Sequence, residues 1–158
     1  MLPTRSKLQI KKLDHSALVV RDIERSRHFY GDVLGLVEIP RPKSFLFRGA
    51  WFRGAGFELH LIQADETAAP VGFGDPGDGG LVGLAHHLAF EVADLDAALE
   101  HLRSHGVEIL SGPMPRGDGV LQAYFFDPDA NFLEFFIHDG DSSLRVEERR
   151  GLGGQDGA

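Results

Sequence analysis

One eight-residue pattern occurs twice in this chain. HSALVVRD (15–22) and HLAFEVAD (87–94) align without a gap, 72 residues apart at both ends (87 − 15 and 94 − 22). Each copy opens on histidine, runs through apolar residues, and ends on an aspartate followed by Ile23 or Leu95. A period of this length predicts two copies of one folding module. The 158 residues suffice for two small modules sharing a core.

The apolar runs have the length and composition of buried strands. Asp22 and Asp94 suit helix N-caps, where a carboxylate accepts otherwise unpaired backbone N–H groups. Helical stretches follow, IERSRHFYGDVL in the first copy and LDAALEHLRSHG in the second. Leu95, Ala98, Leu99 and Leu102 share one face of the second helix, and Gly106 is placed to stop it. LVEI (36–39) and VEIL (107–110) then read as matching short strands. FLFRGAWFR with GFELHLIQ, and VLQAYFFD with NFLEFFIH, read as hairpins, the second turning on Asp127-Pro128-Asp129-Ala130. Each copy is therefore βαβββ, giving an α+β chain. The expected organisation is a first module over 12–63, a Gly/Pro-rich linker or lid over 64–83, a second module over 84–138, and a flexible tail over 139–158.

Composition narrows the chemistry by exclusion. A net charge of −8 disfavours nucleic acid and anionic membranes as partners. The absence of cysteine rules out disulfides, thiolate nucleophiles and sulfur-ligated metals. Any metal must be held by imidazole and carboxylate. No apolar leader and no stretch of about 20 apolar residues is present, so a cytoplasmic protein is expected.

Residues able to bind a metal recur at equivalent points of the repeat. The first strands offer His15 and His87, and the last strands offer His60 in FELHLI and Glu134 in FLEFFI. Alternation along a strand puts His15 on one face with Ala17 and Val19, and His87 with Ala89 and Glu91. Small residues beside each histidine leave room for an ion and its ligand. Glu58 shares the face of His60 and is the alternative donor on that strand. Three neutral imidazoles and one carboxylate suit Zn²⁺, Ni²⁺, Co²⁺, Fe²⁺ or Mn²⁺. Calcium, which prefers an all-oxygen cage, is disfavoured. Two neighbouring positions of an octahedral ion would remain open to substrate oxygens, and such an ion polarises a carbonyl.

LDHSALVVRDIERSRHFYGDVLGLVEI resembles the opening module of the vicinal-oxygen-chelate superfamily, which includes glyoxalases, bleomycin-resistance proteins and dioxygenases. HHLAFEVADLDAALEHLRSHGVEI with FFDPDANFLEFF resembles its closing module. The resemblance covers roughly 12–138 and implies a paired half-barrel around a metal site, with metal positions at His15, His60, His87 and Glu134. It further implies a metal-dependent lyase or isomerase similar to glyoxalase I, often homodimeric, whose small-molecule substrate (or a thiol adduct of one) chelates the ion through adjacent oxygens. Glu134 is the first candidate for the proton-shuttling base, with Glu58 and Glu91 behind it. The superfamily's other activities stand as alternatives: a fosfomycin-type thiol transferase, an extradiol dioxygenase, or a metal-free protein that sequesters its ligand. Motifs of this kind are specific for the superfamily and weak for the reaction.

Several residues carry two readings. Arg48, Arg53 and Arg116 could clamp an anionic substrate group bidentately, or be solvated turn arginines. Trp51, with Phe45 and Phe47, could wall an apolar substrate pocket or simply fill a core. His28, His101 and His105 fall on helices and are expected to be solvated.

Overall fold

In each half of the chain four strands form one mixed sheet, and the two sheets have the same strand order. The computed structural model describes residues 10–65 and 86–138. The chain divides into two compact units, 1–69 and 70–158. The expected linker 64–83 (apart from Ala64 and Asp65) and the tail 139–158 lie outside the described residues.

The first unit runs β1 (His15–Val20), α1 (Ile23–Arg27), a π-helical turn (His28–Val33), β2 (Val37–Ile39), β3 (Gly49–Arg53) and β4 (Glu58–Gln63). Its sheet order is β1-β4-β3-β2, with β1 parallel to β4 and the other pairs antiparallel. The second unit runs β5 (Leu88–Glu91), α2 (Leu95–Ser104), β6 (Ile109–Pro115), β7 (Val120–Phe126) and β8 (Phe132–His138). Its order, β5-β8-β7-β6, repeats that of the first. The βαβββ reading describes both units.

Local chemistry accounts for the boundaries. Asp22 accepts from the N–H groups of Glu24 (3.0 Å) and Arg25 (3.2 Å). Asp94 accepts from that of Ala97 at 3.0 Å. Caps of this kind are worth about 1 kcal/mol each. The last strand of the second unit is reached through a tight turn. There Asp127 Oδ1 accepts from the N–H groups of Asp129 (2.8 Å) and Asn131 (2.7 Å), and Oδ2 accepts from Asn131 Nδ2 at 2.7 Å. These bonds set the β7–β8 register that aligns Tyr124 with Glu134.

Two expected strands start late. VEIL begins as strand only at Ile109, because the N–H of Val107 is still bonded to Leu102 O at the helix end, where Gly106 turns at φ 75°. FLFR (45–48) lies before β3, and Phe45 and Phe47 are exposed rather than on the middle strand. Arg41 holds that segment by donating to Phe47 O (2.8 Å) and Gly49 O (3.2 Å).

Each sheet packs one face beneath its helical segment. Ala50, Phe52, Leu59 and Leu61 are buried on that face in the first unit, beside Ile23, Phe29 and Tyr30. In the second unit Leu95, Leu99 and Leu102 are buried, as are Ala123, Phe125, Leu133 and Phe135. Each such large side chain contributes about 1.5–3 kcal/mol on burial. The opposite parity, Trp51 and His60 or Tyr124 and Glu134, is thereby turned away from the helix. No helix among the described residues is long and apolar enough to cross a membrane.

Two glycines test the backbone account. Gly112 (φ 94°) has no room for a Cβ, which would lie 2.5 Å from Gln122 O and 2.7 Å from Ala123 Cα. Gly35 (φ 73°) has open space around it. Gly112→Ala is expected to destabilise by about 2–5 kcal/mol, combining backbone strain with overpacking. Gly35→Ala carries the strain alone, about 1–2 kcal/mol. Urea unfolding of both variants checks the difference, and equal losses would contradict it.

Candidate metal centre

The sheet registers place the candidate donors at equivalent points of the two units. Ala17 pairs with His60 across β1–β4, and Ala89 pairs with Glu134 across β5–β8. His15 and His87 lie two residues before these alanines. His60 and Glu134 thus hold the same rung of the repeat, whereas Glu58 pairs with His15, one step away on the same face.

In the second unit His87 and Glu134 come together, with His87 Nε2 3.0 Å from Glu134 Oε2. Glu134 is only 2% exposed. Its Oε1 is buried without a hydrogen-bond partner among the described residues, and Arg116 Nη1 lies 3.7 Å from it. A buried carboxylate oxygen left without a hydrogen bond is costly and calls for an explanation. The donor set fits a cation, because two donors about 2.1 Å from an ion and at right angles stand about 3.0 Å apart.

In the first unit the imidazoles of His15 and His60 are stacked, with centroids 4.2 Å apart and planes at 16°. An ion bound through a ring nitrogen lies close to that ring's plane, so ligation by both histidines turns one ring off the stack. His15 is the freer of the two, with 46% of its side chain exposed against 12% for His60. His15 Nδ1 faces the Asp14 carboxylate at 3.3 Å. A carboxylate there orients an imidazole and leaves Nε2 for a metal. His60 Nε2 lies 3.2 Å from Glu58 Oε2.

Glu58 is occupied on both oxygens. Arg53 donates to Oε1 from Nη2 (2.7 Å) and Nε (3.2 Å), while Oε2 faces His60. Arg53 foremost, then His60, holds the Glu58 carboxyl below the usual range. Among the described residues no three His, Asp or Glu side chains gather into a cluster able to hold a metal. Each unit brings two of the four candidate ligands together.

The remaining sequence candidates are dispersed. Glu91 is exposed and pairs with Phe136, one step beyond the Glu134 rung. Arg48 is exposed and reaches Glu24 at 3.7 Å. Arg53 is committed to Glu58. Arg116 grips Asp118, donating from Nε (3.0 and 3.1 Å) and Nη2 (2.9 Å). Trp51 lies flat on His60, with centroids 3.9 Å apart and planes at 4°. It supports a candidate ligand directly. His28, His101 and His105 are exposed.

Sequence reasoning missed Tyr124. It pairs with Glu134 across β7–β8, is 3% exposed, and hydrogen-bonds to the Glu134 carboxylate. The signal was available: Tyr124 stands ten residues before Glu134, at the antiparallel position opposite it once the DPDAN turn is placed.

Burial foremost, then the Glu134 charge and hydrogen bond, pushes the Tyr124 phenol up to about 12. The unfolded value lies near about 10. The folded state therefore favours the neutral phenol, and this stabilisation is complete below about pH 10 and lost as pH rises toward about 12. Tyr124→Phe should remove this alkaline loss. Urea midpoints at about pH 9 and about pH 11.5 check it; equal declines in variant and native protein would contradict it.

Comparison with known proteins agrees with this architecture. The Glyoxalase/Bleomycin resistance protein/Dioxygenase superfamily pattern matches residues 12–135. Glyoxylase I 4 of Arabidopsis thaliana is 29% identical over 128 residues, 80% of this chain and 71% of that protein. The lactoylglutathione lyase of Neisseria meningitidis serogroup A is 29% identical over 153 residues, 86% of this chain and 98% of that protein. The crystal structure of a glyoxalase/dioxygenase from Nostoc punctiforme superposes with a TM-score of 0.68 at 29% identity, covering 86% of this chain and 99% of that one. With the match spanning most of the chain and the paired βαβββ fold present in both units, this protein belongs to the Glyoxalase/Bleomycin resistance protein/Dioxygenase superfamily.

Proposed function

We propose that this protein is a metal-dependent lyase or isomerase of the glyoxalase I kind, acting on a small molecule with adjacent oxygens. The reading includes four ligands, His15, His60, His87 and Glu134, to one divalent cation among Zn²⁺, Ni²⁺, Co²⁺, Fe²⁺ and Mn²⁺, in a homodimeric protein. The observation that carries it is the buried Glu134 carboxylate beside His87, with Oε1 lacking a hydrogen bond and Arg116 Nη1 3.7 Å from it, on the rung equivalent to that of His60. The similarity to glyoxylase I 4 and lactoylglutathione lyase supports the same reaction class.

When bound, the cation supplies Lewis acidity that polarises the substrate's adjacent oxygens. The residues of the chain do the rest. The contact of His15 Nδ1 with Asp14 would leave Nε2 free to hold the ion. His60 is held against Trp51, and His87 flanks Glu134. Glu134 Oε1 takes the proton from the carbon beside the carbonyl and returns it to the neighbouring carbon. Arg116, near Glu134 and clasped by Asp118, can steady negative charge on the substrate.

Two measurements test the reading. Metal analysis of protein purified without added metal should find a divalent cation, and chelation should abolish turnover of methylglyoxal–thiol adducts. Glu134→Gln should retain the fold and lower kcat by about 10²–10⁴-fold. Full activity in the chelated protein or in this variant would sink the proposal, and a chain that binds no metal fits the ligand-sequestering relatives instead.

The choice between His60 and Glu58 has its own test. His60→Ala should lower affinity for added Co²⁺ more than about 100-fold, whereas Glu58→Gln, which only loosens an orienting contact, should lower it about 10–100-fold at most. The reverse order, read by calorimetry, would make Glu58 the ligand.

A further inference from the structure

The repeat extends one strand beyond the candidate ligands. Across β3–β4 the residue opposite His60 is Trp51, and across β7–β8 the residue opposite Glu134 is Tyr124. On the other flank of each donor stands an alanine, Ala17 or Ala89. Both sheets therefore carry one rung of the same composition: Ala17–His60–Trp51 in the first unit and Ala89–Glu134–Tyr124 in the second. Directly opposed residues on an antiparallel ladder stand about 4.5–5.5 Å apart at Cβ, so their side chains must touch. The alanine leaves its side of the donor open, and the aromatic closes the other.

Each aromatic is matched to its donor. Trp51 meets the imidazole of His60 face to face, 3.9 Å apart and 4° from parallel. Face contact steadies the plane of the ring without occupying either ring nitrogen. Tyr124 meets a carboxylate, and its hydroxyl donates a hydrogen bond to it. The last torsion of a glutamate is broad and two-fold, so this bond restricts which way the Glu134 oxygens point. Tyr124 is itself fixed, stacked on Phe132 at 5.1 Å and 10°, with His87 edge-on at 5.7 Å and 87°. An exchange of the two aromatics would fail on both sides, because a phenol offers the smaller face and the sole donor of an indole is its ring N–H.

We propose that Trp51 and Tyr124 are repeat-equivalent positioning residues, each holding the donor opposite it on the ladder in the orientation that receives a divalent cation. Neither touches the ion. The inference rests on the reading of His60 and Glu134 as ligands, and it assigns to Trp51 and Tyr124 a common role, that of Trp51 being distinct from a substrate-pocket wall.

The chain provides its own reporter, since Trp51 is its only tryptophan. The experiment titrates the metal-free full-length protein with Co²⁺, following Trp51 emission and, in parallel, heat of binding. In native protein Co²⁺ should quench the emission to saturation, and His60→Ala should abolish that quenching. Tyr124→Phe, which removes one hydroxyl, should weaken Co²⁺ binding about 10–100-fold, in line with the loss of an outer-shell partner. At saturation its quenching should equal that of native protein. By calorimetry, Trp51→Phe should bind more weakly than native protein and more tightly than Trp51→Ala. Phe52→Leu is the structural control: buried on the helix-facing side of the same strand, it should lower Tm and leave Co²⁺ affinity unchanged.

The outcomes separate the two claims. If His60→Ala loses Co²⁺ while Tyr124→Phe and Trp51→Ala bind it as tightly as native protein, the ligands stand and the positioning role is overturned. If Phe52→Leu loses affinity as much as they do, the effect is general loosening, which also overturns it. If native protein takes up no Co²⁺, or His60→Ala binds it undiminished, the ligand reading falls and this inference falls with it. Should Trp51→Ala fail to fold, Trp51→Phe and Tyr124→Phe decide the matter by themselves.

Discussion

Alternation along β4 and β8 is the constraint on which the rest of the structure depends. In β4, Leu59 and Leu61 are buried on the side facing the helix, which leaves Glu58 and His60 on the other side. In β8, Leu133, Phe135 and Ile137 are buried on the helix side, and Phe132, Glu134 and Phe136 share the opposite face. A register slip of one residue would exchange the faces and drive a carboxylate under α2. The packing that stabilises each sheet is therefore the same packing that turns its polar groups away from the helix. Asp127, which accepts three hydrogen bonds within its turn, helps to enforce that register in the second unit.

The two units handle their carboxylates differently. Glu58 is partly exposed and fully engaged by Arg53 and His60, an arrangement in which solvent screening makes the charge inexpensive. Glu134 is buried, and its neighbours His87, Tyr124 and Arg116 leave one oxygen without a hydrogen bond. Burying a carboxylate without full compensation destabilises a fold, and such sites persist where the surrounding packing holds them and function requires them. This imbalance separates Glu134 from the other acidic side chains among the described residues as a candidate for chemistry.

Membership of the superfamily accounts for the architecture and leaves the reaction open, since one fold serves many chemistries. The two equivalent rungs of this chain have different surroundings. Here these are the Trp51–His60–His15 stack in one unit, and the Tyr124, Arg116 and Phe132 surround of Glu134 in the other. The clasp of Arg116 by Asp118 raises the affinity of that guanidinium for its proton and keeps a permanent cation near the buried carboxylate.

Much of this was legible in the chain. The 72-residue repeat predicted two equivalent modules, the aspartates Asp22 and Asp94 marked the helix starts, and strand parity put His60 and Glu134 on the faces they occupy. These features are local: a period, a cap and an alternation are written in neighbouring residues and need no knowledge of distant packing. The clasps were not legible. That Arg53 is spent on Glu58, that Arg116 is spent on Asp118, and that Trp51 lies flat on His60 each depend on which rotamers survive when strands come together. Tyr124 escaped notice because a tyrosine in an aromatic strand reads as core until its opposite residue is known. Sequence by itself determined the modules, their faces and the residue types that could bind a metal, because backbone hydrogen bonding and burial impose periodicity. Only the tertiary structure decided which side chains stand against those residues, because that is a matter of cross-strand distance and orientation, which no periodicity encodes.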